Sequence, residues 1–262
     1  MNEENISNKK SISLSVAVIA KDEADRIETL LKSLDFVDEV VVVDSGSLDE
    51  TVEICKKYGA RVIFQNWLGY AGQKQFALEQ CSGKWILNLD ADESVSPELK
   101  REIISKLPSL DEKVVAFSIP RLVGYLGKWI YHGGWFPDRK IRLVRAGKAS
   151  WVGDGIHEKL LPEGASQELK HPIFHFVYRN ISDQVRTINS FSSVSADNYS
   201  GAAAGYYVFL GVLHAIGKFL ECAIWKLGLL DGVPGLIIAM NSSFYVFLKH
   251  AKAWEARKKN SF

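Results

Sequence analysis

The sequence predicts an α/β fold with a mainly parallel central sheet, on three observations. Short apolar runs rich in β-branched residues, SLSVAVIA at 13–20, VVVV at 40–43 and WILNL at 85–89, alternate with stretches of helical periodicity. Each run ends in a polar turn, at Ala20-Lys21, Asp44-Ser45 and Asp90-Ala91-Asp92. In open parallel sheets ligands bind beyond the carboxyl ends of the strands, so three such turns on one rim make a site.

The elements follow in order. Residues 13–20 read as a buried strand, and the next stretch, KDEADRIETLLKSL, sets Ile27, Leu30, Leu31 and Leu34 on one helix face with acids in its first turn. Val40–Val43 form a second strand. Ser47 and Glu50 have capping-box spacing and Gly59 marks a stop, which predicts a helix between them. A third strand starts at Arg61, and a helix over 70–81 precedes the strand that runs into Asp90. Ser96-Pro97 is an N-cap and N1 pair for another helix. Beyond it, VVAFSIPRLV and KIRLVRAG have strand character. Between them Trp129, Tyr131, His132, Trp135 and Phe136 crowd around Gly133-Gly134, as a hydrophobic hairpin, a sugar-binding rim or both.

The bulk properties narrow the function classes. A 47% apolar composition with 24% charged residues supports a sizeable core. A net charge of +1 gives no polyelectrolyte argument for nucleic acid. Cys55, Cys81 and Cys222 are far apart, odd in number and without zinc spacing, as expected of packing residues in a reducing compartment. The polar start, MNEENISNKKS, lacks an apolar signal-peptide core, so a cytosolic origin is expected.

Several side chains carry candidate chemistry. Asp90 and Asp92 form a D-x-D at a strand exit; such a pair suits Mg²⁺ or Mn²⁺ and a diphosphate, although any strand-to-turn exit favours aspartate. Asp44 is either a plain Asx-turn or an acceptor for a nucleobase or ribose. Glu158, in WVGDGIHEKL, suits a general base, with Asp154 as competitor and a surface turn as the alternative. His175 sits between apolar neighbours in HPIFHFVY, where a lone histidine is more often a satisfied core residue than a ligand. Arg139 and Arg142 offer positive charge beside phosphates, with a solvated strand face as the alternative for at least one.

Taken together, SVAVIAKDEADRI, VVVVDSGSLDET, the helix before GKWILNLDADE, and WVGDGIHEKL followed by HPIFHF resemble a family 2 glycosyltransferase, and within it the lipopolysaccharide core β-glucosyltransferase subgroup. The resemblance covers residues 13–180 and is specific as an ordered set. It implies a GT-A fold, a nucleotide-sugar donor (a UDP-sugar first) and inversion at the anomeric carbon. It implies nucleoside contacts from Ala20, Glu23 and Asp44, a donor contact from Asp90, and metal contacts from Asp90, Asp92 and His175, with Asp92 the direct ligand; Arg142 joins the donor set on charge alone. Glu158 falls at the position of the catalytic base. Where many members carry asparagine before the glutamate pair of the first turn, this chain has Lys21-Asp22-Glu23.

These readings give a division into a lead-in over 1–12, expected to be disordered, a GT-A domain over 13–200 and a helical segment over 201–262. That last segment has seven Lys and Arg against three Asp and Glu, and its two uncharged runs fall short of the ~20 residues of a spanning helix. Gly232, Pro234 and Gly235 are expected to break the second run. Two helices lying in a membrane interface are expected; a packed helical hairpin, a dimer contact and a spanning pair are the alternatives. The expected function is transfer of a hexose such as glucose to a lipid-linked or lipopolysaccharide glycan, by a peripheral enzyme on the inner face of the cytoplasmic membrane. Rival readings are a sugar-phosphate nucleotidyltransferase, which usually has a glycine-rich loop where this chain reads AKDEADR, and a membrane-docked binding protein without catalysis.

Overall fold

A computed structural model describes residues 13–153, 158–197 and 204–259. The lead-in over 1–12 therefore lies outside the described residues. By internal contacts the chain divides into two units: residues 1–121 with 139–175, and residues 122–138 with 176–262. The boundary expected at residue 200 does not coincide with this division, because the helix Ile181–Asp197 packs with the later helices.

In the first unit the alternation is as expected. Strand β1 (Leu14–Ala20), helix α1 (Ile27–Lys32), β2 (Glu39–Asp44), α2 (Thr51–Lys57), β3 (Arg61–Phe64), α3 (Gly69–Glu79) and β4 (Trp85–Asp90) come in turn. The short strand β5 (Glu93–Val95) and α4 (Pro97–Lys106) follow. The four strands β3-β2-β1-β4 lie side by side and parallel, with Ala20 opposite Asp44 and Ile19 opposite Asp90. All three expected turns thus share one rim. Val16, Val18, Val42, Leu87 and Leu89 point to one face, under Ile27, Leu30 and Leu99; Val41, Val43 and Ile86 point to the other, under Ala77 and Leu78. This double coverage is why the strands read as unbroken apolar runs.

Beyond β4 the sheet changes direction. β6 (Val114–Tyr125) runs from the first unit into the second, and β8 (Asp138–Arg145) pairs antiparallel with β4. The sheet is therefore mixed, with its first four strands parallel. β9 (Ala149–Val152) and β10 (Lys159–Pro162) form a separate antiparallel pair, β11 (Ala165–Glu168) runs parallel beside β6, and β12 (Ile173–His175) lies antiparallel to β5.

Two cap expectations had opposite outcomes. Ser96 caps α4, its Oγ accepting from the Leu99 amide at 3.1 Å. The Ser47/Glu50 capping box does not form: α2 starts at Thr51, and the Ser47 hydroxyl donates to Asp44 instead. Asp44 at the end of a strand is the stronger acceptor, so the serine closes the strand-exit turn. Burial pushes the Cys55 thiol up to about 11 and the Cys81 thiol to about 12, so both are packing groups rather than nucleophiles.

In the second unit β7 (Lys128–Ile130) makes a hairpin with the end of β6, and the aromatic stretch packs there. Tyr125, Trp135 and Tyr178 contact one another, and Trp129 meets Phe176. The helices α5 (Ile181–Asp197), α6 (Ala204–Leu220) and α7 (Val233–Lys259) complete the unit, α7 packing against both others. Gly232, Pro234 and Gly235 do not break α7 but open it; proline is tolerated in a first turn, where amides lack intrahelical partners anyway. A single five-residue π turn extends α6, and Val208–Trp225 is an 18-residue stretch long and apolar enough to cross a membrane.

Candidate active site

Strand β4 delivers Asp90 to the rim because its apolar residues are buried on both faces and its first charged position falls where pairing to β1 ends. There Asp90 meets two cations: Lys74 Nζ lies 2.7 Å from Oδ1 and an Arg142 amino group 2.6 Å from Oδ2. Burial disfavours the Asp90 carboxylate, but the charges of Arg142 and Lys74 outweigh it and hold the group ionised well below the usual carboxylate range. Arg142, 3% exposed, also pairs with Glu93 at 2.8 Å; burial works against its charge, and Asp90 and Glu93 push its pKa further up. Both carboxylates on Arg142 are thus the protein's own.

Glu93 is almost wholly buried, and its Oε2 accepts from the Asp90 amide at 2.9 Å, which fixes the turn between the two aspartates. Arg121 reaches its Oε1 at 3.3 Å. A buried carboxylate is tolerated because two guanidinium groups and an amide satisfy it.

Asp92 faces the other way. His175 Nε2 and Arg26 each lie 3.5 Å from its Oδ2. Burial pushes its pKa up, but the hydrogen bond and charge of His175 bring it below the ordinary value. β12 holds His175 there through its pairing with β5, His175 lying opposite Glu93. Arg26 also binds Glu23 at 2.5 Å, so the first strand's turn is tied to the D-x-D.

The acidic turns also serve each other. Asp44, 4% exposed, accepts from the amides of Gly46 at 2.8 Å and Ser47 at 3.0 Å and from the Ser47 hydroxyl, the Asx-turn arrangement. Asp22 takes the left-handed conformation and accepts from the Leu48 amide at 2.7 Å. The Glu23 amide donates to Thr51 Oγ1 at 2.8 Å. Ala20 accepts at its carbonyl from the Ser45 amide at 3.1 Å. The exits of β1 and β2 are therefore one interlocked shelf.

Glu158 completes the arrangement. Its Oε1 accepts from Lys74 Nζ at 3.0 Å, so a single buried ammonium joins Asp90 to Glu158. Trp151 lies under that ammonium, 4.8 Å from ring centre to Nζ. A cavity of about 410 Å³ opens here, lined by Glu158, Asp90 and six cations: Lys74, Arg121, Arg139, Lys140, Arg142 and Lys159. Asp154, the alternative base, lies outside the described residues. Arg139 is partly exposed and pairs with Glu168 and the Leu169 carbonyl.

Of the expected residues, Asp90, Arg142 and Glu158 meet around Lys74, while Asp92, His175 and Glu23 meet around Arg26 or one another. Among the described residues no group of three or more His, Cys, Asp or Glu side chains converges on one point. Lys74, Glu93 and Arg26 were not singled out from the sequence. Glu93 follows the second aspartate directly, but nothing local marks Lys74 on its helix as a buried ion-pair centre.

Residues 15–158 match the profile described as Glycosyl transferase family 2. The chain is also 32% identical to the lipopolysaccharide core biosynthesis glycosyltransferase LpsC of Rhizobium meliloti over 261 residues, covering 92% of each. The chain belongs to glycosyl transferase family 2. An uncharacterized glycosyltransferase of Rickettsia typhi is 31% identical to this glycosyltransferase over 94% of its chain and 88% of the relative. A solved structure, glucosyl-3-phosphoglycerate synthase from Mycobacterium tuberculosis, overlaps it with a TM-score of 0.37 at 25% identity, over 44% of this chain and 46% of that one, under half of either. The resemblance to the lipopolysaccharide core subgroup is borne out by the relative from Rhizobium meliloti, and the GT-A expectation agrees with the family and with the parallel strands feeding one rim. The rival nucleotidyltransferase and non-catalytic readings give way to the family assignment.

Proposed function

We propose that this glycosyltransferase is an inverting hexosyltransferase. It would move a sugar such as glucose from a nucleotide-sugar, a UDP-sugar first, to a lipid-linked or lipopolysaccharide core glycan at the inner face of the cytoplasmic membrane. The acceptor class is supported by similarity to the core biosynthesis enzyme of Rhizobium meliloti. The observation that carries the mechanism is Lys74, whose one ammonium spans the donor-side Asp90 and the carboxylate of Glu158 at a cavity of about 410 Å³.

Each residue then has a task. The shelf of Ala20, Glu23 and Asp44 receives the nucleoside. Glu158 takes the proton from an acceptor hydroxyl: Oε1 is held by Lys74, and Oε2 makes no hydrogen bond among the described residues, which leaves it available to the acceptor. Lys74 and Arg142 keep Asp90 ionised and fixed, so the rim does not rearrange as charge develops. One displacement from the face opposite the diphosphate inverts the anomeric centre.

The residues also fit a divalent cation. Asp92 offers a carboxylate oxygen with the His175 imidazole beside it, whereas both oxygens of Asp90 are already taken by cations. Mg²⁺ or Mn²⁺ is commonly held by one or two protein groups with substrate phosphates and water supplying the rest. Bound there, the ion would offset charge on the leaving diphosphate.

Thermal-shift measurements with UDP-, GDP-, ADP- and dTDP-sugars, with and without Mn²⁺, test the donor and metal. One donor should raise Tm strongly only with Mn²⁺, and Asp92→Ala should abolish the metal-dependent part. A donor shift indifferent to Mn²⁺ and to Asp92→Ala overturns the metal assignment. NMR of the product anomer tests inversion.

A further inference from the structure

In the second unit α6 and α7 form a hairpin with an unusual outer surface. Along α6, Phe209, Val212, Ile216 and Leu220 are exposed at spacings of three, four and four residues. Along α7, Val233, Leu236, Met240 and Phe244 repeat the same spacing. Such spacing sets each group on one stripe of its helix. At the bend between them Trp225 is 76% exposed and Leu230 65%.

The stripes carry no charge. The one ionisable group between Phe209 and Leu220 other than His214 is Lys218, which lies about half a turn round the helix from Ile216 and Leu220, and Val233–Phe244 holds none. Lys218 pairs with Glu221 at 3.0 Å, and Glu221 also pairs with Lys226 at 2.5 Å.

The bend satisfies its own polar groups. The amides of Lys226, Leu227, Leu230, Gly232 and Leu236 donate to carbonyls three to five residues back, at 2.8–3.0 Å. Asp231, 3% exposed, accepts from the His132 amide at 2.8 Å and shares a 2.9 Å contact with His132 Nδ1. Closure of these bonds within the bend is what a bend that meets hydrocarbon requires.

From these observations we infer that the outer face of the α6–bend–α7 hairpin is the surface on which the enzyme seats in an anionic bilayer, lying along the interface rather than crossing it. It rests on the lipid-linked acceptor proposed above and specifies how the enzyme would reach it. The occupant is read from charge and geometry. The stripes and the bend are net neutral, and α7 continues past them into Lys249, Lys252, Arg257, Lys258 and Lys259 against Glu255, a net +4 in a chain whose total is +1, which complements anionic headgroups at that end of the hairpin. Upright insertion of Val208–Trp225 would carry Glu221 into the hydrocarbon, where charges are costly. Lying flat buries the stripes about 5–10 Å deep, as for interfacial helices, and leaves Lys218, Glu221 and Lys226 near the headgroups.

Co-sedimentation of the full chain with phosphatidylcholine vesicles, with and without phosphatidylglycerol, tests this. The variant Ile216→Ser/Trp225→Ser/Leu230→Ser alters exposed positions only and should keep its circular dichroism and Tm. Wild type should partition onto the anionic vesicles, and the variant should bind about tenfold more weakly or worse, since burying a single large apolar side chain is worth that. Equal partition of variant and wild type overturns the inference, as does a wild type that stays in solution. A wild-type dimer that the triple variant dissociates, without vesicle binding, would assign the face to a second copy and also overturns it. Release of nucleoside diphosphate from the donor with water as acceptor, measured in parallel, separates the readings: it reports the transferase chemistry whether or not the protein binds vesicles.

Discussion

The two rims of the parallel sheet each hold a carboxylate with a depressed pKa, and they hold it differently. At the amino-end rim, Glu39 accepts from Ser15 Oγ at 2.6 Å, the Ser82 amide at 2.8 Å, Ser82 Oγ at 3.0 Å and Arg61 at 3.1 Å. Burial pushes its pKa up, but those hydrogen bonds outweigh it and bring the group down to about 2. At the carboxyl-end rim, Asp90 is held down by the cations Lys74 and Arg142, one of which is shared with Glu158 across a cavity. Mostly neutral donors fix a carboxylate as part of the fold. Cations shared between two carboxylates keep charge at a place where a substrate can use it. A depressed pKa by itself does not mark a site; the partner set does.

If that contrast is right, changes at the carboxyl rim should alter rate and changes at the amino rim only stability. The largest effect is expected for Glu158→Gln, which removes the base while keeping an oxygen for Lys74. Turnover should fall by about 10²–10⁴, the usual worth of general-base catalysis, with the donor-induced Tm shift retained. Undiminished turnover would move the base to Asp154 or elsewhere. Next comes Lys74→Met, which removes the shared cation at similar length. It leaves Asp90 with Arg142 alone and frees Glu158, so kcat should fall by roughly 10- to 100-fold. An unchanged kcat would reduce Lys74 to a packing role.

Legibility followed the range of the forces involved. Local pattern and local chemistry were readable: the buried strands, the Ser96 cap, the common rim and the D-x-D all depend on residues close in sequence. What escaped depended on pairing over distance. Lys74 and Glu158 are 84 residues apart, and Arg142 and Asp90 52 apart, so no window contains either pair. Arg142 read as a donor contact because a strand arginine near phosphates is a reasonable anion site; its engagement by Asp90 and Glu93 requires β8 to lie beside β4 antiparallel, a register that periodicity does not encode. The Ser47 box failed for the opposite reason: its spacing was right, but Asp44, three residues upstream, competed for the hydroxyl.

At the amino rim, Glu39→Gln should leave kcat unchanged and cost on the order of 2–3 kcal/mol at neutral pH, from the depressed pKa. Its folded pKa of about 2 lies below the ordinary 4.5, so the unfolded chain binds the proton more readily. The contribution is therefore fully present above about pH 4.5 and is lost as the pH falls toward 2. Denaturant titrations of both proteins from pH 7 downward should converge over that interval. Curves that stay parallel would mean that Glu39 does not titrate as its partners imply.

The smallest effect separates the rims most cleanly. Ser15 is buried on β1, donates to Glu39 and accepts from the Gly83 amide at 2.8 Å, so Ser15→Ala removes one partner from each. Glu39 keeps its bonds to Ser82 and Arg61, but the Gly83 amide is left without its acceptor in a buried position, which costs about 1–2 kcal/mol. Ser15 lies on the same strand as Ala20, at its opposite end. If β1 is a rigid ruler, chemical denaturation should register the loss while kcat and the donor-induced Tm shift stay at wild-type values. A fall in kcat beyond the change in folded fraction would show that strain at the amino rim reaches Ala20 and the shelf, and the contrast between the two carboxylates would then be one of degree.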